Sequence, residues 1–191
     1  DKVVSQEDLF KTLNAFNREV VDAGARRVFV IPDPVKLSVE NAPHKIARIP
    51  VHPDHPERGE RVLDARGVFY LPKADKDLFV RGGLYRLMGC YNFTVEDVAL
   101  VFHSEDKEVF HKEGKTTEGK TGGEKGGKII HWLPFQEAVP CKIVMPDNTI
   151  KEGVAEKSLL DKSVGDIVQC ERFGFCRVDS LSPLTLYYGH R

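Results

Sequence analysis

The stretch RIPVHPDHPERGERVL (48–63) holds the densest set of groups able to bind a metal or move a proton. It contains His52, His55, Asp54 and Glu57, with His44 a little upstream. A zinc site takes three or four N, S or O donors at about 2.0–2.3 Å. His-Pro-Asp-His-Pro could supply two of them. Pro53 and Pro56, however, push the residue before each toward extended backbone, so the two imidazoles need not converge. No further ligand is marked by spacing. The stretch reads as a stiff loop, and a small metal-dependent hydrolase built on His52 and His55 stands as an alternative. The four cysteines, Cys90, Cys141, Cys170 and Cys176, include no C-x-x-C pair. They read as buried or free thiols of a reducing cytosol.

The common enzyme signatures are missing. There is no G-x-S-x-G elbow, no G-x-x-x-x-G-K-[ST] phosphate loop, no H-E-x-x-H and no G-x-G-x-x-G. The glycine-rich 114–127 stretch lacks the strand–helix frame of a phosphate loop. No catalytic residue, metal or cofactor is therefore expected within these residues. Basic and polar residues on strands are the other signal. Arg26 and Arg27 enter the first strand, Arg86 sits within another, and Gln169, Glu171 and Arg172 follow one another in VQCERF. The two-residue period of a strand predicts Gln169 and Glu171 on one face. A planar guanidinium or amide on a rigid strand suits hydrogen bonding to unstacked RNA bases. The same pattern also describes a solvated outer face. With a net charge of −1 the chain is no polycation, so any nucleic-acid contact must come from a local basic face.

These side chains need elements to carry them. The 191 residues allow one domain or two small ones, and at 41% hydrophobic the chain can bury a core without staples. No apolar run approaches the about 20 residues of a membrane span, and the start lacks the apolar core of a signal peptide. Residues 5–22 predict a helix: Ser5 is an N-cap with Asp8 three residues on, and Leu9, Leu13, Phe16 and Val20 share a face. Then the pattern changes to short β-branched and aromatic runs: RVFVI (27–31), VKLSVE (35–40), KIARI (45–49), RVL (61–63), GVFYL (67–71), LYRLMGCYNFTV (84–95), VALVFH (98–103), KIIHWL (128–133), PCKIVM (140–145), DIVQCERF (166–173), FCRVDS (175–180) and LTLYYG (184–189). Strands at such spacing with turn signals between them predict an all-β chain of two barrels. The low-complexity stretch 104–128 predicts a long arm, either a solvated tip or a basic finger carrying Lys112, Lys115, Lys120, Lys125 and Lys128.

Four strings in register then carry a family resemblance: NREVVDAGARRVFVIPDPVKLSVEN (17–41), PVHPDHPERGER (50–61), KIIHWLPFQEAVPCKIVMPD (128–147) and VGDIVQCERFGFCRVDS (164–180). The chain resembles the C-terminal anticodon-binding region of class I glutamyl/glutaminyl tRNA synthetases. YRLMGCYNF (85–93), IKEGVAEKSL (150–159) and LYYGHR (186–191) make it more similar to the archaeal glutamyl branch. The resemblance implies an all-β fold of two small barrels, proximal and distal, similar to a ribosomal 5S-rRNA binder, preceded by one α-helix of a stem domain. It implies a stem segment at 1–26, a proximal barrel from 27–83 and 155–191, and a distal barrel at 84–154. It implies a fragment that begins near the end of the stem, without the H-I-G-H and K-M-S-K-S signatures. ATP and Mg are implied only for a full-length cytoplasmic, monomeric enzyme acting on tRNA(Glu), with tRNA(Gln) as a second partner.

The family's site residues carry over unevenly. The arginine that contacts the middle anticodon uridine matches Arg27, and the glutamine that shares that base matches Gln169, with Glu171 and Arg172 completing the string. An arginine reading the first base matches Arg86, while a second one two residues later is replaced by Met88. The third-base arginine of the glutaminyl branch falls on Leu78, which puts that contact in doubt and leaves Arg81 as a substitute. In the 50–61 loop, Pro50, Pro53 and Pro56 stiffen the backbone, Gly59 supplies the turn, and His52, Arg58 and Arg61 are expected to face the tRNA. The alternatives are the same region of a glutaminyl enzyme, or a stand-alone RNA-binding β-barrel.

Overall fold

The computed structural model describes residues 5–22, 24–114 and 127–190. Lys115, Lys120 and Lys125 of the expected arm lie outside them. Helix α1 (Gln6–Asp22) starts as its sequence predicts. The Ser5 hydroxyl accepts from the Asp8 N–H at 3.1 Å and donates to Asp8 Oδ2 at 2.6 Å, which satisfies one orphan amide of the first turn. The predicted apolar face is open in this structure: Phe16 and Val20 are 78% and 74% exposed.

Strands follow in close agreement with the short runs: β1 (Arg26–Val28), β2 (Val30–Pro32), β3 (Pro34–Glu40), β4 (Lys45–Pro50), β5 (Glu60–Ala65) and β6 (Val68–Pro72). After a one-turn helix α2 (Lys73–Lys76) come β7 (Leu84–Leu87), β8 (Asn92–Val95), β9 (Leu100–Ser104) and a second short helix α3 (Lys107–Glu113). The chain ends with β10 (Ile129–Ile130), β11 (Leu133–Pro134), β12 (Ala138–Val144), β13 (Ile150–Glu156), β14 (Ile167–Cys170), β15 (Gly174–Leu181) and β16 (Leu184–His190). No helix is long and apolar enough to cross a membrane among the described residues.

The chain divides into two compact units, residues 1–30 with 139–191, and residues 31–138. The first holds a sheet ordered β1-β14-β15-β16-β12-β13-β2. β1 and β2 stand at its two ends, yet only Phe29 separates them in sequence. One strand interrupted at a single residue therefore serves both edges, and the sheet closes on itself as a barrel. Its interior follows the period of two. In β12 Cys141 and Ile143 point inward around the exposed Lys142, and in β15 Cys176 and Val178 point inward around the exposed Arg177. Val28, Val30, Leu159, Val168, Cys170 and Leu186 complete this core.

The second unit repeats the device. Its sheet runs β10-β7-β8-β9-β3-β6-β11, and the two edge strands are again one run, broken at His131 and Trp132. β4 and β5 form a separate antiparallel hairpin. Aromatic rings fill the interior: Tyr85, Tyr91, Phe69, Phe93 and Trp132 are all fully buried. Phe69 meets Trp132 edge-to-face at 5.1 Å, a geometry that adds about 0.5–1.5 kcal/mol beyond burial. The Trp132 indole N–H donates to the Met88 carbonyl at 2.9 Å.

Three expectations are corrected. The expected barrel boundary at 83/84 falls inside the second sheet, because β3 pairs with β6 on one side and with β9 on the other. A parallel pairing between strands so far apart leaves no mark in local sequence. The arm expected from 104 begins instead with the end of β9 and α3; Asp106 caps the helix, accepting from the Glu108 N–H at 2.7 Å, and Phe110 is buried beneath it. Finally, β14 stops at Cys170, and Arg172 takes φ 64 in the turn that follows, so Glu171 does not continue the alternation begun by Gln169.

Two outcomes are expected. Gly174 sits at φ 151, where an added Cβ would lie 2.6 Å from the His190 carbonyl oxygen and 2.7 Å from the Tyr188 ring. Gly174→Ala should cost about 1–3 kcal/mol in chemical denaturation. All four cysteines are free and buried, and burial pushes Cys90 and Cys141 up to about 12. A thiol held that high carries almost no thiolate at pH 8, so native protein should resist iodoacetamide at that pH, while denatured protein takes up four adducts by intact mass.

Candidate nucleic-acid interface

β1 and β14 run parallel, in the register Arg26 to Val168, Arg27 to Gln169 and Val28 to Cys170. Register partners of a parallel pair project from the same face, so Arg27 and Gln169 stand side by side. Both are half-buried. Arg27 Nη2 lies 3.7 Å from Asp22 Oδ1 at the end of α1, with each side chain 21% exposed. Arg27 Nε and Gln169 Oε1 are shielded from solvent and make no hydrogen bond among the described residues. They put a donor and an acceptor without a hydrogen bond at adjacent register positions, and Arg26 Nε on the same strand is also without one.

The joint beside them is fully tied. Val28 C=O accepts from the Glu171 N–H at 3.0 Å. Phe29 is completely buried; its N–H donates to Glu156 Oε1 at 2.8 Å, and its C=O accepts from the Glu156 N–H at 3.1 Å. Ser158 Oγ donates to the second carboxylate oxygen at 3.1 Å. After β14 the chain turns through 171–173, closed by the Phe173 N–H on the Cys170 carbonyl at 3.0 Å. Glu171 is half-buried there and Arg172 is exposed. Sequence reasoning missed Glu156, because EKS at the end of a strand matches no motif and its partner Phe29 lies far away in the chain.

The other expected residues belong to the second unit and behave differently. Arg86 is only 7% exposed. Its Nη1 donates to Asn92 Oδ1 at 2.7 Å and to the Glu105 carbonyl at 3.1 Å, and its Nη2 to the Cys90 carbonyl at 3.3 Å. Burial pushes this guanidinium below its ordinary value. Asn92 in turn donates to Ser104 Oγ and to the carbonyl of Asp106, the cap of α3. The geometry makes Arg86 a strut between β7, β8 and the start of α3.

The proline loop is also a support. His52 and Arg61, expected to face a ligand, are 2% and 4% exposed. His52 Nδ1 accepts from the Asp54 N–H at 3.2 Å, its ring packs 4.7 Å from that of His55, and His55 pairs with Glu57. Pro56–Arg58 forms a single 3-10 turn, with Arg58 half-buried, and Gly59 closes it at φ 86. No three His, Cys, Asp or Glu side chains are placed to hold a metal ion among the described residues. Arg81 is open, 75% exposed and 2.8 Å from Asp97, and Leu78 is 58% exposed.

Two sheets, each closed by one interrupted strand, place the chain in the class of small closed β-domains. The match to known families is specific: the description "tRNA synthetases class I (E and Q), anti-codon binding domain" fits residues 25–111 and again residues 129–179. The chain belongs to this family of class I tRNA synthetase domains. Among curated proteins it is similar to the glutamate–tRNA ligase of Methanocaldococcus jannaschii, 40% identical over 95% of this chain. The glutamate–tRNA ligases of Pyrococcus abyssi and Methanothermobacter thermautotrophicus are 37% and 36% identical over 94% and 100% of it. The chain spans 31–32% of the length of these relatives.

Arg86→Ala should leave one amide and two carbonyl oxygens without their buried donor, and each such loss costs about 1–3 kcal/mol. The variant is expected to lower stability by about 2–4 kcal/mol in denaturant titration.

Proposed function

We propose that this chain is the anticodon-binding part of a glutamate–tRNA ligase and that the Arg27–Gln169 pair holds the middle anticodon base. The single observation that carries this reading is the register match of Arg27 with Gln169, within a chain whose relatives are glutamate–tRNA ligases along nearly its whole length. The chemistry fits a uracil edge, which offers acceptor, donor and acceptor in a row. The Arg27 guanidinium donates to a carbonyl oxygen, and the Gln169 amide oxygen accepts the ring N–H. Both groups that lack a hydrogen bond then find one. A base must be unstacked and turned outward to present that edge to a strand, which is the usual way proteins read single-stranded loops. In this reading the exposed Arg172 of the adjacent turn contacts a flanking phosphate, where charge fixes register but carries no sequence information, and Glu171 accepts from a base amino group or a ribose hydroxyl. In the second unit, Arg81 is an accessible cation for a separate contact.

In this reading tRNA(Glu) is the partner and the ligase works as a monomer. ATP and Mg act in the catalytic portion of the whole enzyme. Anticodon contacts matter for the reaction only if the binding energy also places the distant acceptor end productively.

The test is direct. A fluorescent tRNA(Glu) anticodon stem-loop should bind the chain, and Arg27→Ala should weaken that binding by about 10–100-fold, the range of one good bidentate contact. Gln169→Ala acts on the same base, so the double variant should lose far less than the product of the two single losses. A stem-loop carrying another middle base should bind the parent weakly and the two variants without preference. Parent-like affinity in both single variants would sink the assignment of this pair.

A further inference from the structure

We infer that Glu156 is the positioning residue of the Arg27–Gln169 pair, acting through the backbone of Phe29 without touching RNA. The inference rests on the reading above that this pair contacts a base. β1 is three residues long and pairs with β14 on one side. Immediately after it the strand changes neighbours, because β2 belongs to the opposite edge of the same sheet. Phe29 is the residue at the change, two positions beyond Arg27. Glu156 takes both of its backbone groups, the N–H through Oε1 at 2.8 Å and the C=O through its own N–H at 3.1 Å.

That double grip fixes the peptide planes on either side of Phe29, and with them the direction in which β1 leaves the seam. The direct tie on the Arg27 side chain is much looser, a 3.7 Å approach to Asp22 across a partly open gap. The carboxylate itself is preset: Glu156 is 2% exposed and Ser158 Oγ donates to its other oxygen at 3.1 Å. A site built this way keeps its arginine in register by holding the strand, which leaves the guanidinium free to meet its ligand.

Two experiments test this. In the intact chain, coupling between the grip and the ligand must be reciprocal, so RNA that favours the closed grip must also protect it. Saturating tRNA(Glu) anticodon stem-loop is expected to slow hydrogen exchange of the Phe29 amide about tenfold more than that of Ile143, a buried β12 residue outside the seam. Equal slowing at both positions overturns the inference.

The second experiment uses variants, with circular dichroism confirming the fold. Glu156→Gln keeps a carbonyl oxygen for the Phe29 N–H and should bind the stem-loop within about twofold of the parent. Glu156→Ala removes the acceptor and should bind about tenfold more weakly, yet add nothing in an Arg27→Ala background. A folded Glu156→Ala that binds like the parent, or a loss that multiplies fully with Arg27→Ala, overturns the inference. If Arg27→Ala and Gln169→Ala both bind like the parent, the underlying reading fails instead. Should Glu156→Ala not fold, the exchange measurement decides alone.

Discussion

A backbone that changes partners in mid-strand must still satisfy its N–H and C=O groups, and each sheet here depends on how that is done. In the first unit the change falls on Phe29. Its amide and carbonyl lie inside the core, where an unpaired group costs about 1–3 kcal/mol, and Glu156 takes both. In the second unit the change falls at His131 and Trp132. There the Met88 N–H caps the Ile130 carbonyl, and the Trp132 indole returns the bond to the Met88 carbonyl. The chemistry differs, with a carboxylate at one seam and a large aromatic donor at the other. The constraint is the same: a barrel closed by one broken strand needs a side chain that can stand in for the missing ladder partner.

The same accounting separates two arginines that look alike as sequence. Arg27 and Arg86 both lie inside short strands and are each followed by an apolar residue. Arg86 is folded into the core and discharged onto three neutral oxygens, so its planar fork works as a brace. Arg27 keeps a distant carboxylate and an unused Nε, next to an unused amide oxygen on Gln169. Burial and partner count, which only the folded chain displays, decide which guanidinium supports the structure and which can serve a ligand. The histidine loop follows the same rule. Its imidazoles are consumed by packing, an amide and a carboxylate within the loop, and its prolines do what Pro does anywhere, limiting backbone freedom on both sides of a hairpin.

By itself the sequence determined much of the local structure of this chain, though not β13, α2 or α3. The capping pair Ser5 and Asp8, the β-branched runs and the Pro and Gly between them dictate where helix and strands begin and end, because those signals act over a few residues. The four long strings in register also carried the family. What only the tertiary structure decided is everything that depends on long-range pairing. Sequence spacing cannot tell that β3 joins β9, that RVFVI breaks at Phe29 to serve both edges of one sheet, or that Gln169 lands beside Arg27. Nor does it distinguish a buried Arg86 from an open one. The physical reason is that strand pairing is chosen by global closure and by the need to pair every buried backbone group, and neither constraint is written in any one stretch of residues.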